Sequence, residues 1–301
     1  MNILILGSQG FIGSHLINYY LGKGFSVTGC DVVEFSTKHY SYHKVSILSP
    51  DFDSIFASQS FDICINASGS GNVSFSMHNP YSDFEANTLL VIKVLDTIRK
   101  YKPSCKFLHI SSAAVYGNPK KLPIQEDDLL EPLSPYGYHK LMSEVICKEY
   151  CALYDLSIVI VRPFSIYGPG LRKQLFWDAF QKYLFNSNEV ELWGTGKESR
   201  DFIYIDDVVK CFDIILLNAN MKGEIYNIAS GIEETIKESI DCLFKFLENP
   251  PIIKFNNQIS EGNPLNWRAD ISKLTALGFT TSVSSKMGIE RLANWLQSCS
   301  K

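Results

Sequence analysis

Through the first half of the chain, short apolar or β-branched runs alternate with longer segments whose apolar residues recur at helical spacing. That is the pattern of repeated strand–helix units around a parallel sheet. The runs predict strands over 3–6, 26–30, 44–47, 62–65, 106–110 and 157–161, and the segments between them predict helices over 11–21, 50–56, 80–101 and 135–154. The last two helices each begin with a proline, which the first helical position tolerates because its N–H would lack a helical partner anyway. After Arg162-Pro163 the alternation breaks into the turn Gly168-Pro169-Gly170, a helix over 175–184, a loop over 193–198, a strand over 201–205 and a late strand over 224–228. The expected fold is α/β, a doubly wound parallel sheet over 1–165. Residues 166–301 form mainly a smaller α+β lobe that returns some segments to the first part. No long polar linker separates the halves, so a cleft between them is expected to hold the ligand.

Composition narrows the function. Of 301 residues, 46% are hydrophobic and 20% charged, which excludes disordered, collagen-like and coiled-coil classes. A net charge of −4 gives no overall attraction to nucleic acid or an anionic membrane, so neither is expected as a partner. The apolar opening over 1–6 is far shorter than the roughly 20 residues of a bilayer span and lacks a signal peptide's basic start. A cytoplasmic location is expected. Eight cysteines without a CxxC pair read as free thiols, and six histidines without an HExxH pair indicate no metal site.

Four motifs carry chemistry. Gly7-Ser-Gln-Gly10-Phe-Ile-Gly13 follows the first strand and opens a helix, so Gly7, Gly10 and Gly13 permit a tight turn and close approach of a pyrophosphate to the helix N-terminus. A plain turn is the competing reading. Asp31 ends the second strand about 20 residues on, where a carboxylate binds ribose hydroxyls and repels a 2′-phosphate; NAD is favoured over NADP, unless Asp31 merely caps the next segment. Tyr136 and Lys140 lie four apart at a helix start, hence on one face, where a cation favours the phenolate. Ser112, in Ser111-Ser112-Ala-Ala-Val-Tyr-Gly117, follows the fifth strand at the sheet's carboxyl edge; it either meets substrate or caps a turn.

These residues resemble the extended short-chain dehydrogenases/reductases that act on nucleotide sugars, the NAD-dependent epimerase/dehydratase group. The likeness covers nearly the whole chain. It rests on the ordered set Gly7–Gly13, Asp31, Asn87, SSAAVYG, YxxxK, RPFSIYGPG at 162–170 and RDFIYIDDV at 200–208. It implies a Rossmann-type fold and a catalytic set of Ser112, Tyr136, Lys140 and Asn87, with Tyr136 moving the sugar hydroxyl proton. It also implies cofactor contacts from Phe11, Ile12, Ile47, Ala67, Ser68 and Phe164. Substrate contacts are implied at Ser112, Ser165, Gln174, Trp193 and Arg200, with Arg200 on the nucleotide diphosphate; a core role competes for Trp193. A homodimer through helices 80–101 and 135–154 follows from the same likeness, with Leu90, Val94, Ile98, Leu141, Val145 and Cys151 as apolar positions, although burial against the protein's own sheet explains much of this stripe.

Three departures bear on the substrate: Ser165 stands for the usual asparagine, Ser46 for an aspartate near the adenine, and Ser260 lies near the usual second diphosphate arginine. Ala113-Ala114 replaces the acid that 4,6-dehydratases and decarboxylases carry after the catalytic hydroxyl segment. The leading reading is an NAD-dependent epimerase acting at C4 of a nucleoside-diphosphate hexose. The alternatives are an NAD(P)H-dependent 4-ketoreductase of a deoxysugar nucleotide and a non-catalytic nucleotide-binding regulator.

Overall fold

The computed structural model describes residues 1–47, 49–258 and 264–299. Its centre is a seven-stranded parallel sheet made of β1 (Asn2–Leu6), β2 (Ser26–Asp31), β3 (Ser41–Lys44), β4 (Ile63–Asn66), β5 (Lys106–Ile110), β6 (Ile158–Pro163) and one strand from the second half. A β7 (Ser165–Tyr167), β8 (Glu189–Leu192) and β9 (Ser199–Tyr204) intervene before that strand, β10 (Lys222–Ile228). The order is β10-β6-β5-β4-β1-β2-β3. Two small sheets, β11 (Glu233–Thr235)-β9-β7 and β12 (Ile252–Phe255)-β8, form the second lobe.

The helices are α1 (Phe11–Gly22), α2 (Phe52–Ser58), α3 (Val73–His78), α4 (Pro80–Phe84), α5 (Leu90–Tyr101), α6 (Pro135–Tyr154), α7 (Gln174–Phe185), α8 (Ile205–Asn218), α9 (Ile236–Phe244), α10 (Ser272–Ala276) and α11 (Ser285–Ser298). They cover both faces of the large sheet, so central strands are buried on both sides: every residue of β4 and β6 is buried. β1 pairs with β2 on one side and β4 on the other, which is the switch point where open α/β sheets bind ligands at the strands' carboxyl ends.

Three sequence expectations are corrected. The third strand is Ser41–Lys44, paired with Thr28–Asp31, rather than 44–47; an edge strand half in solvent carries no apolar run to mark it. The helix over 80–101 is three pieces, because a π-helical turn at Glu85–Leu89 separates α4 from α5. Val94 and Ile98 are fully buried in the protein's own core and Leu141 packs inside, whereas Val145 is 59% exposed. The helical spacing on α5 thus records packing against the chain's own sheet.

One buried ion pair ties the sheet to α6. Glu144 and Arg162 are each 1% exposed, and Arg162 grips the carboxylate with Nε (2.9 Å) and Nη2 (2.7 Å). Burying both charges is costly, so the pair is held by further partners: Ser111 Oγ donates to Glu144, and Arg162 Nη1 donates to Tyr116 Oη and to the Glu126 carbonyl. Removing one partner strands a buried charge. Glu144→Ala is expected to destabilise the fold by about 3–5 kcal/mol in chemical denaturation.

Candidate active site

The glycine-rich turn closes by hydrogen bonds that a side chain would obstruct. Gly7 N and Ser8 N both donate to the Cys30 carbonyl, and Gly10 N donates to the Gly7 carbonyl. A Cβ on Gly13 would lie 2.0 Å from the Gly7 carbonyl oxygen, and Gly7 adopts φ +74 with the Ala67 carbonyl 2.6 Å from its virtual Cβ. α1 starts at Phe11 with Gly10 as an N-cap that supplies no side chain, so the amides of its first turn stay open to an anion. Asp31 accepts from Gln9 N (2.8 Å) and Val32 N (2.7 Å), which aims its carboxylate at this turn. Ala67 and Ser68 pass directly over Gly7. Ile47 is an exposed residue beyond β3. This donor set fits a dinucleotide: open amides for its diphosphate and a carboxylate for its ribose.

At the carboxyl end of β5 lie the proton-handling residues. Lys140 is buried on α6 and donates to the Ile110 carbonyl (2.9 Å); its ammonium stands 6.0 Å from the centre of the Tyr136 ring. Burial lowers the Lys140 pKa to about 8, against the opposing charges of Asp83, Cys147 and Glu144. Burial pushes Tyr136 up to about 12, partly countered by a hydrogen bond with the Ser112 side chain. Lys140 alone therefore does not bring the phenol into a physiological range. Ser112 caps the short 3₁₀ turn Ala113–Tyr116, so its capping role and its contact with Tyr136 coexist.

Asn87 sits on the π-helical turn, donating to the Asp83 carboxylate (3.0 Å) and the Ser70 carbonyl, with its own Oδ1 buried and unpartnered. Sequence reading missed Asp83 and His139, which form a buried 2.6 Å pair beside this set. The signal was present: His139 lies within the YxxxK segment, and Asp83 is one helical turn before Asn87.

The second lobe contributes Arg200 on β9. It donates to the Ser199 and Leu265 carbonyls and stands 5.7 Å from the Trp267 ring; burial lowers its pKa to about 10, with Glu198 acting the other way. The neighbouring acids are engaged elsewhere: Asp201 accepts from Ser230, Gly231 and Ala269, Asp206 pairs with Arg291, and Asp207 accepts from Ser282 and Val283. Among the described residues no carboxylate forms an ion pair with Arg200, and Asp201, Asp206 and Asp207 are each engaged elsewhere. Ser165 opens β7, paired with β9 at Phe202. Trp193 is 58% exposed and so is no core residue. Gln174 is exposed at the start of α7, and Phe164 packs between Tyr116 and Trp267. Ser260 lies outside the described residues.

The model of the NAD-dependent epimerase/dehydratase family matches residues 3–229. The chain belongs to that family. Among solved structures this family member is similar to the UDP-glucuronic acid 4-epimerase of Bacillus cereus in complex with UDP-glucuronic acid and NAD, at 28% identity, TM-score 0.90, and coverage of 99% of this chain and 100% of that one. It is 29% identical to the uncharacterized UDP-glucose epimerase YtcB of Bacillus subtilis, over 99% of this chain and 98% of that protein. It is 28% identical to the dTDP-D-glucose 4,6-dehydratase of Dictyostelium discoideum, over 97% of this chain and 81% of that one. Among the described residues no cluster of His, Cys, Asp and Glu could hold a metal, and no helix is long and apolar enough to cross a membrane.

Lys140 also gives a test of the burial itself. The unfolded chain keeps the Lys140 proton to about pH 10.5, whereas the folded chain releases it near pH 8. Between these values the unfolded state binds more protons, so stability rises with pH. In nucleotide-free protein, wild type should gain on Lys140→Met by up to about 3 kcal/mol between pH 8 and 10.5, read by denaturation. A constant difference across that window would contradict the buried placement.

Proposed function

We propose that this family member is an NAD-dependent 4-epimerase of a nucleoside-diphosphate hexose. The observation that carries the reading is the convergence of Ser112, Tyr136 and Lys140 at the sheet's carboxyl edge, with only Ala113 and Ala114 following Ser112. That arrangement handles one proton at one sugar hydroxyl. It offers no acid there for the elimination that a dehydratase performs. The similarity to a 4-epimerase with NAD and a UDP-sugar supports the same choice of cofactor and substrate class.

Bound NAD supplies the acceptor and donor of the C4 hydride and a positive charge that favours the neighbouring phenolate. Tyr136 takes the proton of the C4 hydroxyl as that carbon is oxidised and returns it when the 4-keto sugar is reduced on its other face. Ser112 donates to the C4 oxygen. Lys140, with one donor spent on Ile110, keeps two N–H bonds for the nicotinamide ribose. Asn87 holds the loop at Ser70 next to them. Asp31 meets the adenosine ribose, and the amides of Phe11 and Ile12 face the cofactor diphosphate. Arg200 takes the substrate diphosphate, with Ser165, Gln174 and the exposed face of Trp193 along the same cleft.

The reading includes a homodimer through the helical regions 80–101 and 135–154. Tyr138, Met142 and Val145 form an exposed apolar row along α6, with Tyr81 on α4 beside it. The dimer is therefore placed on this row and not on the buried positions of α5.

Purified protein incubated with UDP-glucose, UDP-galactose or UDP-glucuronate should form the C4 epimer with no added nucleotide. Turnover only of 4-keto substrates, with stoichiometric loss of NADH, would establish the 4-ketoreductase alternative. Tyr136→Phe should leave less than a tenth of the wild-type rate while still binding NAD. Arg200→Ala should weaken UDP binding about ten- to a hundredfold with NAD affinity nearly unchanged, the loss expected for one charge-assisted hydrogen bond.

A further inference from the structure

Lys173 is an exposed lysine with no carboxylate paired to it among the described residues. It follows the Gly168–Gly170 turn and immediately precedes α7, and among the described residues its ammonium has no hydrogen-bond or ion-pair partner. Surrounding protein lowers its pKa, and no neighbouring charge opposes the shift.

Its location identifies a candidate anion. Lys173 Nζ lies 3.4 Å from the point that a Cβ on Gly71 would occupy. Gly71 belongs to the segment after β4 whose beginning, Ala67-Ser68, runs directly over Gly7. On the other side, the turn that carries Lys173 is fastened to the first turns of α1. His15 Nε2 and the Pro169 carbonyl are 2.9 Å apart, and Gly170 backs onto the Phe11 ring at 3.7 Å from its virtual Cβ. The turn that carries Lys173 is thus anchored on the first turns of α1 while its ammonium lies at Gly71, in the segment that leaves the glycine-rich turn. Gly71 leaves room for it, since a side chain at that position would crowd the ammonium.

We propose that Lys173 is a clasp on the diphosphate of the bound dinucleotide, closing the 168–173 turn over the cofactor from the substrate lobe and slowing its release between turnovers. This rests on NAD as the cofactor. It adds that the substrate lobe, and not only the first half, determines how long the cofactor stays. An epimerase needs such retention, because its cofactor is regenerated within each cycle.

The same ammonium could be drawn instead to the substrate's diphosphate or to a sugar carboxylate, so the test separates the ligands. Nucleotide-stripped wild type, Lys173→Met and Lys173→Arg are titrated with NADH, with ADP-ribose, which keeps the diphosphate but lacks nicotinamide, with adenosine, and with UDP and UDP-glucuronate. Lys173→Met is expected to weaken NADH and ADP-ribose about ten- to a hundredfold, to leave adenosine, UDP and UDP-glucuronate within about twofold, and to speed NADH dissociation. Lys173→Arg should recover most of the loss. Weakened UDP or UDP-glucuronate with unchanged ADP-ribose would overturn the proposal, as would no change in any ligand. Should Lys173→Met lose every ligand through misfolding, Lys173→Arg decides: NADH affinity near wild type supports the clasp, and a loss equal to that of Lys173→Met overturns it. Wild type that binds neither NADH nor ADP-ribose would refute the cofactor assignment itself, a result distinct from a selective effect of Lys173.

Discussion

The buried pair between Glu144 and Arg162 is the constraint from which the site's geometry follows. Glu144 is one turn beyond Lys140 on α6, and Arg162 lies just before the end of β6, so their bidentate contact fixes the helix on the sheet. Through Ser111 the pair reaches the residue before Ser112, and through Tyr116 it reaches Asn227 on β10. Two expensive charges are accommodated only because every partner is in place, which makes the arrangement intolerant of small shifts. Such rigidity suits proton and hydride transfer, where a displacement of about 1 Å is costly.

Around this framework the cleft collects cations while the molecule as a whole is acidic. The net charge is −4, yet Lys140 and Arg200 are held with pKa values lowered by burial, and the protein around the exposed Lys173 lowers its pKa as well. The acids near Arg200 are occupied by backbone amides and hydroxyls of the second lobe. The open first turn of α1 adds the positive end of a helix. The proposed function pairs this pocket with two diphosphates: one of the cofactor, one of the nucleotide sugar. The overall charge never indicated this, because binding follows the local field.

Much of the architecture was legible in the sequence because strands buried on both faces are written as continuous apolar runs; Ile3–Leu6 and Ile158–Val161 admit little else. The glycine-rich turn, Asp31 and Ser112 were legible because each is a local pattern set at a strand end, and Tyr136 and Lys140 because they lie four apart at a helix start. The edge strand Ser41–Lys44 was not, since half-exposed residues carry no hydrophobic signature. Nor was the π-helical turn at Glu85–Leu89, whose helical periodicity looks regular in sequence while Asn87 bonds to Asp83 and Ser70. Lys173 depends on contacts between segments far apart in the chain, which no local pattern records, whereas Asp83 and His139 each lie beside a recognised motif and only their pairing is hidden. The exposed row Tyr138, Met142 and Val145 was obscured by the stronger apolar spacing of α5.

The central claim is that oxidation and reduction occur at the same sugar carbon with a cofactor that does not leave. UDP-glucose or UDP-glucuronate carrying deuterium at C4, converted in the presence of excess unlabelled NADH, measures this directly by mass spectrometry of the product. The account predicts that the epimer keeps its deuterium at C4 and that none enters the NADH pool. Loss of the label from the epimer to added NADH would contradict it.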